Sequence, residues 1–202
     1  MGPPRLVSLT VAADPARWRA AGFAVGDDGV LRIGATTLRL AGRAAGEGIL
    51  GWSLEGVVTG REPIDGLPCD PLPDAAGDAP AAHPNGALRL DHVVVLTPAL
   101  ARTLAALADA GMDLRRTRDV PRRSLRQAFY RLGEVVLEVV GPPDGSGAAP
   151  SSFWGLVVVL PDLAALPGGV AGEPHDAVQP GRRICTARAE AALGTHVAFM
   201  TP

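Results

Sequence analysis

Two ionisable side chains interrupt runs that are otherwise apolar. His92 follows Leu90 and Asp91 and precedes Val93, Val94, Val95 and Leu96, and Glu138 stands between Leu137 and Val139. A strand apolar on both faces has no structural use for an imidazole, and a buried carboxylate is costly unless it is paired. Each residue therefore needs a partner. One arrangement is structural: a neutral His92 hydrogen-bonded in the core, and Glu138 paired with an arginine such as Arg131. The other is chemical, with imidazole and carboxylate acting as acid and base. Gln127, Phe129 and Arg131 recur at a spacing of two and so share one strand face, and Trp154 flanks Gly155. These residues can furnish a cavity with an aromatic wall and an anion-binding guanidinium, although core packing is the default role for aromatic residues at strand spacing.

Other residues of chemical type have plainer readings. His83 belongs to His83-Pro84-Asn85-Gly86, where proline and Asn-Gly favour a tight turn. Cys69 and Cys185 lack the spacing of a zinc site or a redox pair. Arg115, Arg116, Arg118, Arg122, Arg123 and Arg126 crowd one strand and turn. A solvated edge that resists sheet-to-sheet association is the default for such a run, and a mouth that attracts anions is the alternative. Gln179 to Arg183 reads as a turn first and a ligand-contacting loop second.

The elements that position these residues belong to an ordinary globular chain. Of 202 residues, 47% are hydrophobic and 20% charged, and all 19 basic residues are arginine, as a coding bias would produce. A net charge of −2 gives no global field for a polyanion, which argues against nucleic acid as a partner. The first apolar run spans about eight residues and contains Ser8 and Thr10, too short and polar for a signal or a membrane span. A soluble, cytoplasmic monomer or homodimer that takes a small-molecule ligand is expected.

Periodicity predicts a strand at Leu6 to Ala12, a short helix opened by Asp14-Pro15, and strands at Val30 to Ile33, Thr36 to Leu40 and Ile49 to Val58. Residues 59–87, rich in proline, read as a linker packed on the surface. The strand that carries His92 launches a helix from Ala99 to Ala110. Strands follow at Asp113 to Val120, Gln127 to Leu132, Glu134 to Val140, Phe153 to Leu160, Arg183 to Arg188 and Thr195 to Met200.

The chain repeats itself in two ungapped registers. Val30 to Gly34 and Leu38 to Gly42 lie over Phe129 to Gly133 and Leu137 to Gly141 at an offset of 131 − 32 = 99, which pairs Arg32 with Arg131 and both glycines. Leu90 to Leu100 lies over Phe153 to Leu163 at an offset of 155 − 92 = 63, which pairs Pro98 with Pro161. Repeated βαβββ modules with this punctuation, and the Leu90-Asp91-His92-Val93 to Thr97-Pro98 opening, resemble the vicinal oxygen chelate superfamily, and its glyoxalase-like members in particular.

That resemblance implies an α+β fold in which repeated βαβββ modules form an open, curled mixed β-sheet barrel with helices outside. It divides the chain into a diverged module at 1–58, the linker at 59–87, and a glyoxalase-like domain at 88–202 made of modules 88–142 and 152–202. In the superfamily, divalent-metal ligands come from the first and last strands of each module. Carried over, those positions are His92 and Glu138, then Gly155 and Phe199. An imidazole and a carboxylate suit Zn, Fe, Mn or Ni, but Gly155 and Phe199 stand where a second histidine and glutamate are expected, so the ligand set is incomplete. His83 and His175 are further ligands by type, with His196 discounted because alternation sets it opposite Phe199. The N-terminal counterparts, Ser8 and Arg39, do not suit a metal. Glu138 is the expected catalytic group; Phe129, Arg131, Trp154, Gly155 and Phe199 are the expected substrate contacts, with bare Gly155 widening the cavity. A metal-assisted lyase, isomerase or dioxygenase acting on a small oxygenated metabolite is implied, and a metal-free binding or sequestering protein of the bleomycin-resistance type is the alternative.

Overall fold

Alternating and fully apolar runs become strands close to where the sequence predicts them. β1 (Arg5–Val11) leads into α1 (Pro15–Ala20), whose N-cap Asp14 accepts from the Ala16 N–H at 2.8 Å. β2 (Val30–Ile33), β3 (Thr36–Leu40) and β4 (Ile49–Glu55) follow. The second half holds β5 (Arg89–Leu96), α2 (Leu100–Asp109), β6 (Leu114–Val120), β7 (Leu125–Leu132) and β8 (Val135–Gly141). It closes with β9 (Ser152–Val159), β10 (His175–Asp176), β11 (Arg183–Thr186) and β12 (His196–Met200). The computed structural model describes residues 2–58, 62–72 and 82–202; residues 59–61 and 73–81 of the Pro-rich stretch lie outside the described residues.

The larger sheet is open and runs β10-β11-β12-β9-β5-β8-β7-β6. In each half the first strand pairs parallel with the last, β5 with β8 and β9 with β12, and the halves join through antiparallel β5 and β9. Val93 lies opposite Leu156, and 156 − 93 is 63, the sequence offset, so the pseudo-two-fold relating the halves passes through this pair. The helix of the third module is reduced to a 3-10 turn at Leu163–Ala165.

Residues 5–55 have the βαβββ element order, but their sheet runs β2-β3-β1-β4. β3 pairs parallel with β1, as β8 does with β5, and β4 pairs antiparallel with β1, as β9 does with β5. The small sheet thus reproduces the β7-β8-β5-β9 centre of the large one and has no counterpart of β6.

The inner faces of both sheets share one hydrophobic cluster. Trp18 Nε1 donates to the Leu193 carbonyl at 3.1 Å, and Trp52 packs edge-on against Phe153 at 5.2 Å between centroids. The Pro-rich stretch is more than a surface linker: Ile64 and Leu67 are buried in this core, and Cys69 pairs with Trp52 in a parallel bridge. Each fully buried leucine contributes roughly 1.5–3 kcal/mol. Among the described residues no helix is long and apolar enough to cross a membrane.

Candidate functional site

A β-bulge builds the site. Leu90 lies opposite Val158 and His92 opposite Val157, so Asp91 is an extra residue in β5. Alternation sends consecutive side chains to opposite faces; the bulge re-aims them and places Asp91 Oδ2 2.8 Å from His92 Nδ1. Asp91 Oδ1 accepts from Arg182 Nη2 at 2.9 Å and from Arg89 Nη1 at 3.4 Å. Arg182, ahead of β11, is itself fixed by donating from Nε to the Thr201 carbonyl at 2.7 Å. Burial works most strongly against ionisation of Asp91, but the hydrogen bonds and charges of His92 and Arg182 together outweigh it and hold the carboxyl well below the usual carboxylate range.

An ionised carboxylate can only accept, so a neutral His92 carries its proton on Nδ1 and leaves the Nε2 lone pair free. Nε2 is 3.7 Å from Glu138 Oε2, beyond direct hydrogen-bond distance, so a ligand oxygen set beside the pair can contact both. Glu138 Oε1 accepts from Gln127 Nε2 at 2.7 Å. The partner of Glu138 is therefore Gln127, and not Arg131. The other amide atom, Gln127 Oε1, is buried with no hydrogen-bond partner among the described residues. His92 and Glu138 are 16% and 14% exposed, at the floor of a cleft of about 600 Å³ between the two arms of the large sheet. Arg116, Arg118 and Phe129 form one wall, with the Arg116 guanidinium 4.8 Å above the Phe129 ring; His175, Val178, Ile184 and Met200 belong to the other.

The sequence expectations divide cleanly. His92, Glu138 and Phe129 converge on this cleft, and His175 faces it. Arg131 shares the strand face but opens into a separate cleft with Arg5, Glu55 and Arg115. Gly155 does not widen the cavity: a Cβ there would collide with the His196 carbonyl oxygen and lie 2.7 Å from the His196 Cβ, so the close approach of β12 demands glycine. Trp154 stacks on His196 at 4.5 Å, 43% exposed and outside the cleft. Phe199 is fully buried and faces the other sheet, 6.4 Å from Phe23. The counterpart of Glu138 is Ala198: Glu138 pairs with Val94, two residues past His92, and Ala198 with Val157, two past Gly155. One residue of offset moved the assignment to the wrong face.

His83 is structural. Nδ1 accepts from the Ala24 N–H at 3.1 Å and Nε2 donates to the Arg32 carbonyl at 2.9 Å. Burial pushes its pKa down against the opposing pull of that carbonyl.

As metal ligands, His92 Nε2 and Glu138 Oε2 supply two donors, and Asp91 backs the imidazole as carboxylates back metal-bound histidines. No group of three His, Cys, Asp or Glu is placed to hold a metal ion together among the described residues, since Asp91 is turned to Nδ1 of His92. The set falls one donor short of the three protein ligands a catalytic metal usually keeps, and does not fit a tightly held ion. The support of His92 by Asp91, and of Asp91 by Arg182, has no signal in the sequence, because a bulge and a contact across 91 residues leave no local pattern.

No protein-family model matches the sequence, and no curated protein matches it. Among solved structures, a triple mutant of 4-hydroxymandelate synthase from Streptomyces coelicolor superposes on 99% of this chain and 93% of its own, with TM-score 0.61 and 12% identity. Methylmalonyl-CoA epimerase from Mycobacterium tuberculosis aligns with 56% of this chain and 87% of its own, with TM-score 0.43 and 18% identity. A hypothetical protein from Bacillus halodurans matches over 56% and 94%, with TM-score 0.44 and 16% identity. At such identities the likeness concerns fold alone, and the first of the three carries it through both sheets.

Proposed function

This chain has the vicinal oxygen chelate fold of repeated βαβββ modules, and from that premise we propose that its cleft binds a small oxygenated molecule and moves a proton on it, with His92 and Glu138 as the acid–base pair. The observation that carries the reading is the Asp91-backed imidazole whose Nε2 faces a second carboxylate at 3.7 Å in an open cleft. A proton taken up at Nε2 creates an imidazolium between two carboxylates, Asp91 and Glu138, which stabilise it electrostatically. Gln127 holds one oxygen of Glu138, leaving the other to act on the ligand. In this reading the modules at 88–142 and 152–202 hold the site, and residues 1–58 support it from behind.

The test incubates the full chain with small hydroxy and keto acids in D₂O and follows deuterium uptake next to the carbonyl by NMR. Exchange abolished in His92→Gln and in Glu138→Gln supports the reading; exchange unchanged in both contradicts it. A metal-free sequestering protein is the second reading, favoured by the third module's lack of an ionisable residue at Gly155 and Ala198. It gives binding without exchange. Metal analysis of protein purified without chelator addresses the remaining expectation: one divalent ion per chain, lost in His92→Ala, would restore the metal-assisted reading.

A further inference from the structure

The turn between β10 and β11 lines the cleft, and the proton-transfer reading gives it no role. Ala177, Val178, Gln179 and Pro180 belong to the cleft wall, and the apolar Val178 near the tip is exposed. Pro180 and Gly181, whose φ is +81°, are the central pair of a type II turn closed by the Arg182 N–H on the Gln179 carbonyl at 3.2 Å. The Arg182 carbonyl in turn accepts from the Ala177 N–H at 2.9 Å, so the backbone of this one residue clasps the segment. Its side chain is largely buried and runs away from the turn, with Nε donating to the Thr201 carbonyl at 2.7 Å and Nη2 to Asp91 Oδ1 at 2.9 Å. Arg182 thus joins the wall of the cleft to the carboxylate that orients His92.

That carboxylate has a second cation within reach. Arg89 Nη1 stands 3.4 Å from the same Oδ1, too far for a strong bond, on a more exposed side chain. With Arg182 engaged, Oδ2 is aimed at His92 Nδ1. Once Arg182 lets go, the carboxylate is free to turn toward Arg89 and to leave Nδ1. Two arrangements of one side chain, biased by one arginine, are the kind of element through which one part of a site can act on another.

We propose that Arg182 is a positioning residue for His92, and that through it the alignment of the imidazole depends on closure of the turn at residues 177–181. The guanidinium supplies fixed donors to Thr201 and Asp91, and the turn sets where the side chain starts. A ligand that settles against Val178 favours the closed turn, and with it the aligned base. The inference rests on the proposed use of the cleft and adds how that site is regulated.

Three substitutions in the full chain test it. Arg182→Gln removes the link to Asp91. Gly181→Val strains the turn through its positive φ, with nothing within 4 Å of the added Cβ. Gly169→Val is the matched control: φ is +84°, the space is equally open, and the turn, closed by the Val170 N–H on the Pro167 carbonyl at 3.2 Å, lies outside the cleft lining. Long-range ¹⁵N–¹H spectra without ligand read the two His92 nitrogens, and a dispersed backbone spectrum checks that each variant is folded. Arg182→Gln is expected to move the Nδ1 resonance from the N–H position toward that of a bare nitrogen, Gly181→Val to move it the same way by less, and Gly169→Val to leave it in place. In the deuterium-exchange assay, Gly181→Val is expected to lower the saturating rate about threefold or more, and Gly169→Val to leave it unchanged. An unmoved signal in both Arg182→Gln and Gly181→Val, or equal shifts in Gly181→Val and Gly169→Val, overturns the inference; a shift in Arg182→Gln alone overturns the dependence on the turn. If Arg182→Gln does not fold, the two glycine variants decide. Exchange that needs His92 but is indifferent to Gly181→Val would leave the proton-transfer reading standing and remove only this one. No exchange in the unmodified protein removes that reading, and the His92 signal still decides this one.

Discussion

The two sheets place different chemistry on equivalent strand positions. Thr10 pairs with Arg39 as Val94 pairs with Glu138, so Ser8 stands where His92 does and Arg39 where Glu138 does. In the large sheet this face opens into a cleft. In the small one the chain covers the β1 and β4 side of it and leaves Arg39 exposed: Ser8 donates to Ser53 at 2.9 Å, Ser53 donates to the Pro71 carbonyl at 2.8 Å, and Thr10 donates to Asp70 at 2.7 Å. The segment is held there by the Asp70 N–H on the Trp52 carbonyl at 2.7 Å. Pairing geometry can therefore repeat while function does not. A site needs an ionisable pair, a bulge that brings Asp91 to His92, and an arm that stands off to leave space.

The largest expected difference lies in the chemistry. His92→Gln or Glu138→Gln should lower exchange between about 10²- and 10⁴-fold, whereas Ser8→Ala and Arg39→Gln should leave it within error. Equal losses from both pairs would erase the distinction between the sheets.

Next is the junction of the sheets. Phe199→Ala should cost about 3–5 kcal/mol in chemical denaturation, because the ring is fully enclosed against Phe23. Trp154→Ala, partly exposed at the rim, should cost far less, within about 1 kcal/mol. A reversal would return Phe199 to the cleft face.

A smaller contrast appears with pH. His83 has its folded pKa below the ordinary 6.5, so the stability it confers is complete above 6.5 and drains away as pH falls below it. Asp91 is held below the ordinary 3.8, so its contribution persists to that point and is lost only in stronger acid. Denaturation midpoints followed down in pH should show two limbs, and His83→Gln should remove the first alone. Smallest of all, Thr10→Ala should cost about 1 kcal/mol, one hydrogen bond to the covering segment.

Strand positions were legible because burial imposes alternation, and the 63-residue offset reappears in the Val93 and Leu156 pairing. His92 and Glu138 were legible as polar residues in apolar strands. What the sequence hid is what periodicity cannot carry. A bulge is a count of two against one across strands, seen only when both are paired. It also hid β4, which lies beside β1 rather than β3, and the burial of Ile64 and Leu67 in a stretch whose prolines suggested a surface linker. Phe199 was misplaced because a one-residue slip in a strand exchanges its faces.

The proposed proton transfer turns on the His92 imidazole, held by Asp91 with its Nε2 turned to Glu138. Long-range ¹⁵N–¹H NMR of the histidine side chains in alkaline buffer, with His92 assigned through His92→Gln, reads that arrangement directly. The expected spectrum has a protonated Nδ1 and a bare Nε2, and Asp91→Asn perturbs it while Asp70→Asn does not. A protonated Nε2 in the unmodified protein would contradict the proposed base and the function built on it.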